Sequence, residues 1–137
     1  MSNDFTCFVL QFTDIELIPY VRMTQRTRFT DKYAIRYREQ QQLIRQLIAL
    51  DLASQGLPLA GEDYAIPKDI PFSAHIFIYT AKPLHRCDLD NQVKAVLDAC
   101  QKVVYPNDSQ CDSIAAIRTQ LEKGKPGWFS VQFTPYN

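Results

Sequence analysis

The nine residues Phe72 to Thr80 constrain the fold more than any other stretch. Read as a strand, they put Ala74, Ile76 and Ile78 on one face and His75, Phe77 and Tyr79 on the other. A strand with apolar content on both faces belongs in the middle of a sheet, where neighbours and a covering layer remove that area from water. Phe5 to Phe12 alternates, with Phe8, Leu10 and Phe12 on one face, and is expected to be another strand. Two more are expected at Ser113 to Leu121 and Trp128 to Thr134, the last with Phe129, Val131 and Phe133 facing inward.

Between the strands the period changes to that of helices. Pro19 to Thr30 is polar, basic and aperiodic, so it is expected to be a loop, with Thr30 or Asp31 capping a helix from about Lys32 to Leu52. Tyr33, Tyr37, Ile44, Leu47 and Ile48 give that helix an apolar stripe, and Gly56-Leu57-Pro58 closes it. Gly56 to Pro71, with three prolines and two glycines, is expected to be a surface loop. A second helix is expected from near Asp88 to about Val104, ended by Tyr105-Pro106-Asn107-Asp108. The order β-α-β-α-β-β specifies an α/β fold, an α+β sandwich of a small mixed sheet and two main helices, in a single domain spanning 1–137.

Composition fits one such domain. Of 137 residues 46% are hydrophobic, enough for one packed core, and 22% are charged, which excludes disorder as a global description. No apolar run approaches the roughly 18–20 residues that span a bilayer. Met1-Ser2-Asn3-Asp4 has no signal-peptide character, so a cytoplasmic protein without a membrane partner is expected. Cys7, Cys87, Cys100 and Cys111 form no CxxC pair and stand with no HxxxH pattern, so they read as ordinary thiols rather than zinc ligands. Fifteen basic and fifteen acidic residues cancel, but their distribution is uneven. Arg22, Arg26, Arg28, Lys32, Arg36, Arg38 and Arg45 crowd one stretch, whereas acids recur from Asp88 to Asp112. A basic strip beside carboxylates suits an enzyme that grips phosphates and carries out metal chemistry on one of them.

The chemistry concentrates in Arg86-Cys87-Asp88-Leu89-Asp90-Asn91-Gln92-Val93-Lys94, continuing to Asp98 and Asp108. Magnesium takes oxygen ligands and keeps several waters, so two or three carboxylates suffice. Asp88 just outside a first turn and Asp90 within it can converge, and Lys94 lies one turn beyond Asp90 on the same face. Asp108 cannot reach back along its own helix and has to return through the following strand or its lead-in. A purely structural account is also available. The acids would then stabilise a helix N-terminus by ~0.3–1 kcal/mol, and Asp90–Lys94 and Asp98–Lys102 would be i,i+4 ion pairs.

This segment resembles the signature of the RusA family of Holliday junction resolvases. The resemblance rests on Asp88-Leu89-Asp90-Asn91, Lys94, Asp98-Ala99-Cys100 and Asp108-Ser109-Gln110. A looser likeness covers Arg22 to Arg28 with Lys32-Tyr33, which is similar to the family's arginine-rich loop. The resemblance implies that Asp88, Asp90 and Asp108 bind magnesium, with manganese as a substitute. It implies that Lys94 assists at the scissile phosphate and that Asn91 and Asp98 support the site. It further implies a homodimer of bacterial, phage or prophage context acting on branched DNA, a four-way junction, by paired symmetrical nicks in recombination and repair. Arg22, Arg26, Arg28, Lys32 and Arg86 are then the DNA-binding residues. The chain departs from the family pattern in having only Arg86 before Asp88, Asn107 before Asp108 and a neutral total charge. The competing expectations are a nuclease of the same fold for other branched DNA and a non-catalytic branched-DNA-binding protein.

Overall fold

The computed structural model describes residues 5–20, 31–59 and 63–136. Four strands, β1 (Phe8–Phe12), β2 (Phe72–Thr80), β3 (Cys111–Gln120) and β4 (Trp128–Pro135), form one sheet in the order β1-β4-β2-β3. Two helices accompany it, α1 (Lys32–Ser54) and α2 (Leu89–Cys100), and the expected order β-α-β-α-β-β holds. β4 pairs antiparallel with both β1 and β2, whereas β2 and β3 are parallel and joined through α2. The sheet is therefore mixed, and β2 is interior as its two apolar faces require.

The inward side chains alternate as expected. Phe8, Leu10 and Phe12 of β1, Ala74, Ile76 and Ile78 of β2, and Phe129, Val131 and Phe133 of β4 are all buried on one face, beneath the helices. α1 starts at Asp31, whose carboxylate accepts from the backbone N–H groups of Tyr33 (2.8 Å) and Ala34 (3.1 Å), a cap worth ~1 kcal/mol. It ends in a Schellman motif: Leu57 N–H bonds to the Leu52 carbonyl and Gly56 N–H to that of Ala53, with Gly56 at φ +72°. The apolar stripe is rotated from the expected one. Tyr33 is 57% exposed, and the buried line runs Ala34, Tyr37, Gln41, Ile44, Ile48 and Leu52, whose spacing keeps a single face toward α2 and the sheet.

α2 stops at Cys100, four residues before the expected end. Gln101 turns extended and Lys102 takes φ +67°, so that Val104 and Tyr105 swing into the core, where the Tyr105 ring lies 4.6 Å from Phe72. The 56–71 connection is also less superficial than expected. Ala65 and Ile66 are buried, Ile66 N–H bonds to the Val104 carbonyl, and the buried Gln110 amide donates to the carbonyls of Pro67 and Ile70. β3 begins two residues earlier than expected, at Cys111. Arg22, Arg26 and Arg28 lie outside the described residues.

Candidate active site

The β2-α2-β3 unit decides where each acid falls. The chain leaves β2, makes a short 3-10 turn at Leu84–Arg86 and enters α2 through Asp88, the N-cap residue. Asp88 has cap geometry (φ −76°, ψ 136°) but its carboxylate makes no capping bond, and the side chain is exposed. A structural cap would have spent that carboxylate on the helix N–H groups; here it is free to meet a ligand. Asp90, in the first turn, is exposed and among the described residues accepts only from the N–H of its neighbour Asn91, at 3.0 Å. The Asn91 carbonyl in turn accepts from Tyr20 N–H at 2.9 Å, which fastens the segment before α1 to the start of α2.

Lys94 follows on the same face, with its ammonium 3.9 Å from the centroid of the Tyr20 ring. The contact is worth ~0.5–1 kcal/mol at an exposed site, and it holds the amine beside the Asp90 face of the helix. Asp98, a further turn on, is half-buried. Burial pushes its carboxyl above the ordinary range, the neighbouring Asp108 adds to that, and Lys94 and Arg45 oppose it. The Arg45 guanidinium donates to the Asp98 backbone carbonyl at 3.0 Å, and the Tyr37 hydroxyl stands 3.5 Å from its carboxylate. Lys102 lies beyond the end of α2, so an Asp98–Lys102 helical pair does not form.

Asp108 opens the 3-10 turn before β3 and accepts from the Tyr105 hydroxyl at 3.1 Å. It does return through the lead-in to β3, but not to Asp88. β3 starts opposite Phe72, the first residue of β2, whereas Asp88 follows the last. Asp88 with Asp90, and Asp98 with Asp108, therefore stand at opposite ends of α2, and a helix of 12 residues is about 18 Å long. A cavity of about 1070 Å³ runs between them, bordered by all four acids and Lys94 and floored by apolar side chains such as Val93, Leu97 and Ile114. Among the described residues no three His, Cys, Asp or Glu side chains converge on a common point that holds a metal. The expected triad of Asp88, Asp90 and Asp108 is thus not assembled within one chain. The pair Asp88 and Asp90 matches the hard oxygen donors magnesium prefers, since that ion keeps several waters and takes one or two carboxylates.

Arg118, which sequence reasoning missed, reaches into this cavity from β3. Its guanidinium donates to the carbonyl of Cys87, the peptide that leads into Asp88, and at 3.0 Å to the Oε1 of the buried Gln92. It ties strand, lead-in and first helical turn together. The available signal was a single base at the end of the Ile114, Ala116, Arg118 face of β3, in register with the inward Ile78.

Beside the Asp88 end lies a second concavity of about 880 Å³, lined by the bases Arg36, Lys82 and Arg86 and by the acids Glu16 and Asp31. Arg86 was expected to bind DNA; folding brings Arg36 and Lys82 to the same concavity. Lys32 is exposed at the head of α1, its ammonium 5.3 Å from the centroid of the Tyr33 ring, and Tyr33 borders the same concavity. No helix among the described residues is long and apolar enough to cross a membrane.

Comparison with known proteins fits this arrangement. No curated protein matches the chain. The family model described as Endodeoxyribonuclease RusA matches residues 19–128, a span that takes in both helices and the four acids of α2 and its flanks. With that match covering most of its length, the chain belongs to the RusA family of endodeoxyribonucleases.

Proposed function

We propose that this protein is a magnesium-dependent endonuclease that resolves Holliday junctions, as a homodimer, by paired symmetrical nicks. The observation that carries the reading is the start of α2. Two exposed carboxylates stand there, Asp88 without a capping bond and Asp90 bonded to the neighbouring Asn91 N–H alone among the described residues, beside a concavity carrying Arg36, Lys82 and Arg86, in a chain of an endodeoxyribonuclease family. Asp88 and Asp90 would hold the metal, with manganese as a substitute. When bound, the ion supplies an activated water and charge stabilisation at phosphorus.

The chain's own groups have separate tasks. Arg36, Lys82 and Arg86, with Lys32 and the arginines of the 22–28 stretch, hold backbone phosphates and set the register of the duplex without reading its sequence. Lys94, fixed over Tyr20, offers positive charge to the phosphate as its own charge grows. Asn91 and Asp98 support the site through backbone and hydrogen-bond contacts rather than by ligation. A four-way junction has two-fold symmetry, and an isologous dimer presents two matching sites to it.

The test pairs a labelled synthetic four-way junction with a matched linear duplex, in magnesium or in chelator, with Asp90→Asn alongside. Paired nicks in the junction alone, absent with chelator and in the variant, are expected, with junction binding kept or tightened. Wild-type cleavage rates from Asp90→Asn would remove Asp90 from the metal site. Binding without any nicks would make the protein a branched-DNA-binding module.

A further inference from the structure

Residues 13–20, which follow β1, belong to no strand ladder, so their backbone polar groups need partners elsewhere. Gln40 of α1 supplies two of them. Its Nε2 donates to the Glu16 carbonyl at 2.8 Å, and its Oε1 accepts from Ile18 N–H at 2.7 Å. A carboxamide that bonds the C=O of one residue and the N–H two residues on stands in for a neighbouring strand. The Glu16 carboxylate accepts from the buried Thr80 hydroxyl, at the end of β2, at 3.0 Å. Its backbone lies so close to Gly127 that a Cβ on that glycine would stand 3.1 Å from the Glu16 Cα. At the far end, Tyr20 N–H bonds to the Asn91 carbonyl at 2.9 Å, and the Tyr20 ring meets Tyr37 of α1 nearly perpendicular at 5.9 Å.

We propose that Glu16–Tyr20 is a strap that places the Lys94 ammonium, with Gln40 and Tyr20 as its positioning residues. A lysine ammonium ends a flexible four-carbon stem, and a single ring contact localises it only if the ring is itself held. This ring is held by Tyr37 on α1, by Asn91 on α2 and, through Gln40, along the backbone that precedes it. Its outward contact is the exposed Lys94, 3.9 Å from its centroid.

Holding the helices together is not the strap's task. The buried Gln41 of α1 donates to the Ala95 carbonyl of α2 at 3.0 Å, and Arg45 donates to that of Asp98, so α1 and α2 are tied without it. Glu16 and Gln40 touch neither cavity acid nor Lys94, and they reach the site only through Tyr20. That the placement serves cleavage rests on the nuclease reading of the site; the placement itself does not.

The test follows the Lys94 side chain and the cleavage rate separately, in the full chain, for Tyr20→Leu, Tyr20→Phe, Gln40→Met and Lys94→Met. With lysines labelled at Cε, the Lys94 methylene protons are expected upfield of the ordinary lysine position, because they lie over a ring, and are assigned by their loss in Lys94→Met. Tyr20→Leu and Gln40→Met should return them to that position, while Lys32, 5.3 Å from the centroid of the Tyr33 ring, stays where it was. Single-turnover cleavage of a four-way junction in magnesium should fall ~10–100-fold in both variants, as displacement of a reacting group by about an ångström does, with the junction dissociation constant changed less than ~3-fold. Tyr20→Phe, which keeps the ring, should recover most of both signals. In a Lys94→Met background neither substitution should slow cleavage further. Tyr20→Leu removes no backbone partner and decides the matter if Gln40→Met does not fold. A wild-type Lys94 resonance without upfield displacement, or one that folded Gln40→Met leaves unmoved, overturns the strap. Equal slowing with and without Lys94, or a loss carried by the dissociation constant, overturns its positioning role. A wild-type chain that cuts no DNA ends the nuclease reading, and the Lys94 resonance still decides whether the strap places the amine.

Discussion

Replacing Arg118 by methionine keeps the length of the side chain and deletes its donors, which isolates the tie between β3 and the start of α2. Gln92 is 3% exposed, so its Oε1 would lose a partner with little access to water, a cost of ~1–3 kcal/mol. The Cys87 carbonyl is half-buried and rehydrates in part, so its loss adds less. A total near 2 kcal/mol is expected. With an unfolding entropy of ~2.1 cal/mol/K per residue, a chain of this length loses about 7 °C in Tm for that amount. Arg118→Lys retains charge but has no fork to span both acceptors, and should fall between. Adding Gln92→Leu to Arg118→Met removes the stranded acceptor together with its donor, so the double variant should melt above the single one. Functionally, the freed Cys87–Asp88 peptide should lower junction cleavage more than junction binding. The assay is calorimetry beside a cleavage time course. If Arg118→Met melts within 1 °C of wild type, the guanidinium does not hold this segment and the positional argument for Asp88 fails.

Asp98→Asn tests the electrostatics of the far end of α2 in metal-free buffer. Burial and Asp108 raise the Asp98 pKa above its ordinary 3.8, so the folded state holds this proton more tightly than the unfolded one. The stability it contributes is complete below the unfolded pKa and is lost as pH rises through the folded one. The variant should therefore gain on wild type in chemical denaturation from about pH 4 upward and hold that gain at neutrality; an advantage confined to lower pH would reverse the argument. Arg26→Ala should weaken junction binding and flatten its dependence on salt by about one unit of log–log slope, and an unchanged slope would take Arg26 off the phosphate surface.

The frame of the molecule was legible because periodicity reports burial. Phe72 to Thr80 came out with its exact ends, and Phe129, Val131 and Phe133 with their correct face, since each strand needs one fully buried side. Tyr33 misled because a tyrosine at helical spacing looks like core. Ala34 at 1% and Tyr37 at 3% exposure define the stripe, and Tyr33 sits outside it. The end of α2 was hidden by Lys102, a residue with no propensity for positive φ, which adopts it because the burial of Val104 and Tyr105 outweighs the local strain. At the site, Asp88, Asp90 and Lys94 were readable from spacing along one helix. The end of that helix to which Asp108 returns was not, because it depends on the parallel pairing of β2 with β3. Arg118 was invisible for the same reason: its partners Cys87 and Gln92 lie far from it in sequence and near it only across the sheet.

The strand order has a consequence for how the protein is made. β4 lies between β1 and β2, so the first strand synthesised has no strand partner until Trp128–Pro135 leave the ribosome. Until then β2 can pair only with β3, and the Phe8–Leu10–Phe12 face waits without its one strand neighbour, β4, from which more than a hundred residues of intervening chain separate it. Closing a loop of that length is slow relative to local helix formation. During synthesis the nascent chain carries a β2-α2-β3 unit whose β2 edge is bare as well as its β3 edge, a state open to wrong pairing and to capture by chaperones. Deletions reaching into β4 should accordingly remove the sheet as a whole rather than trim its margin.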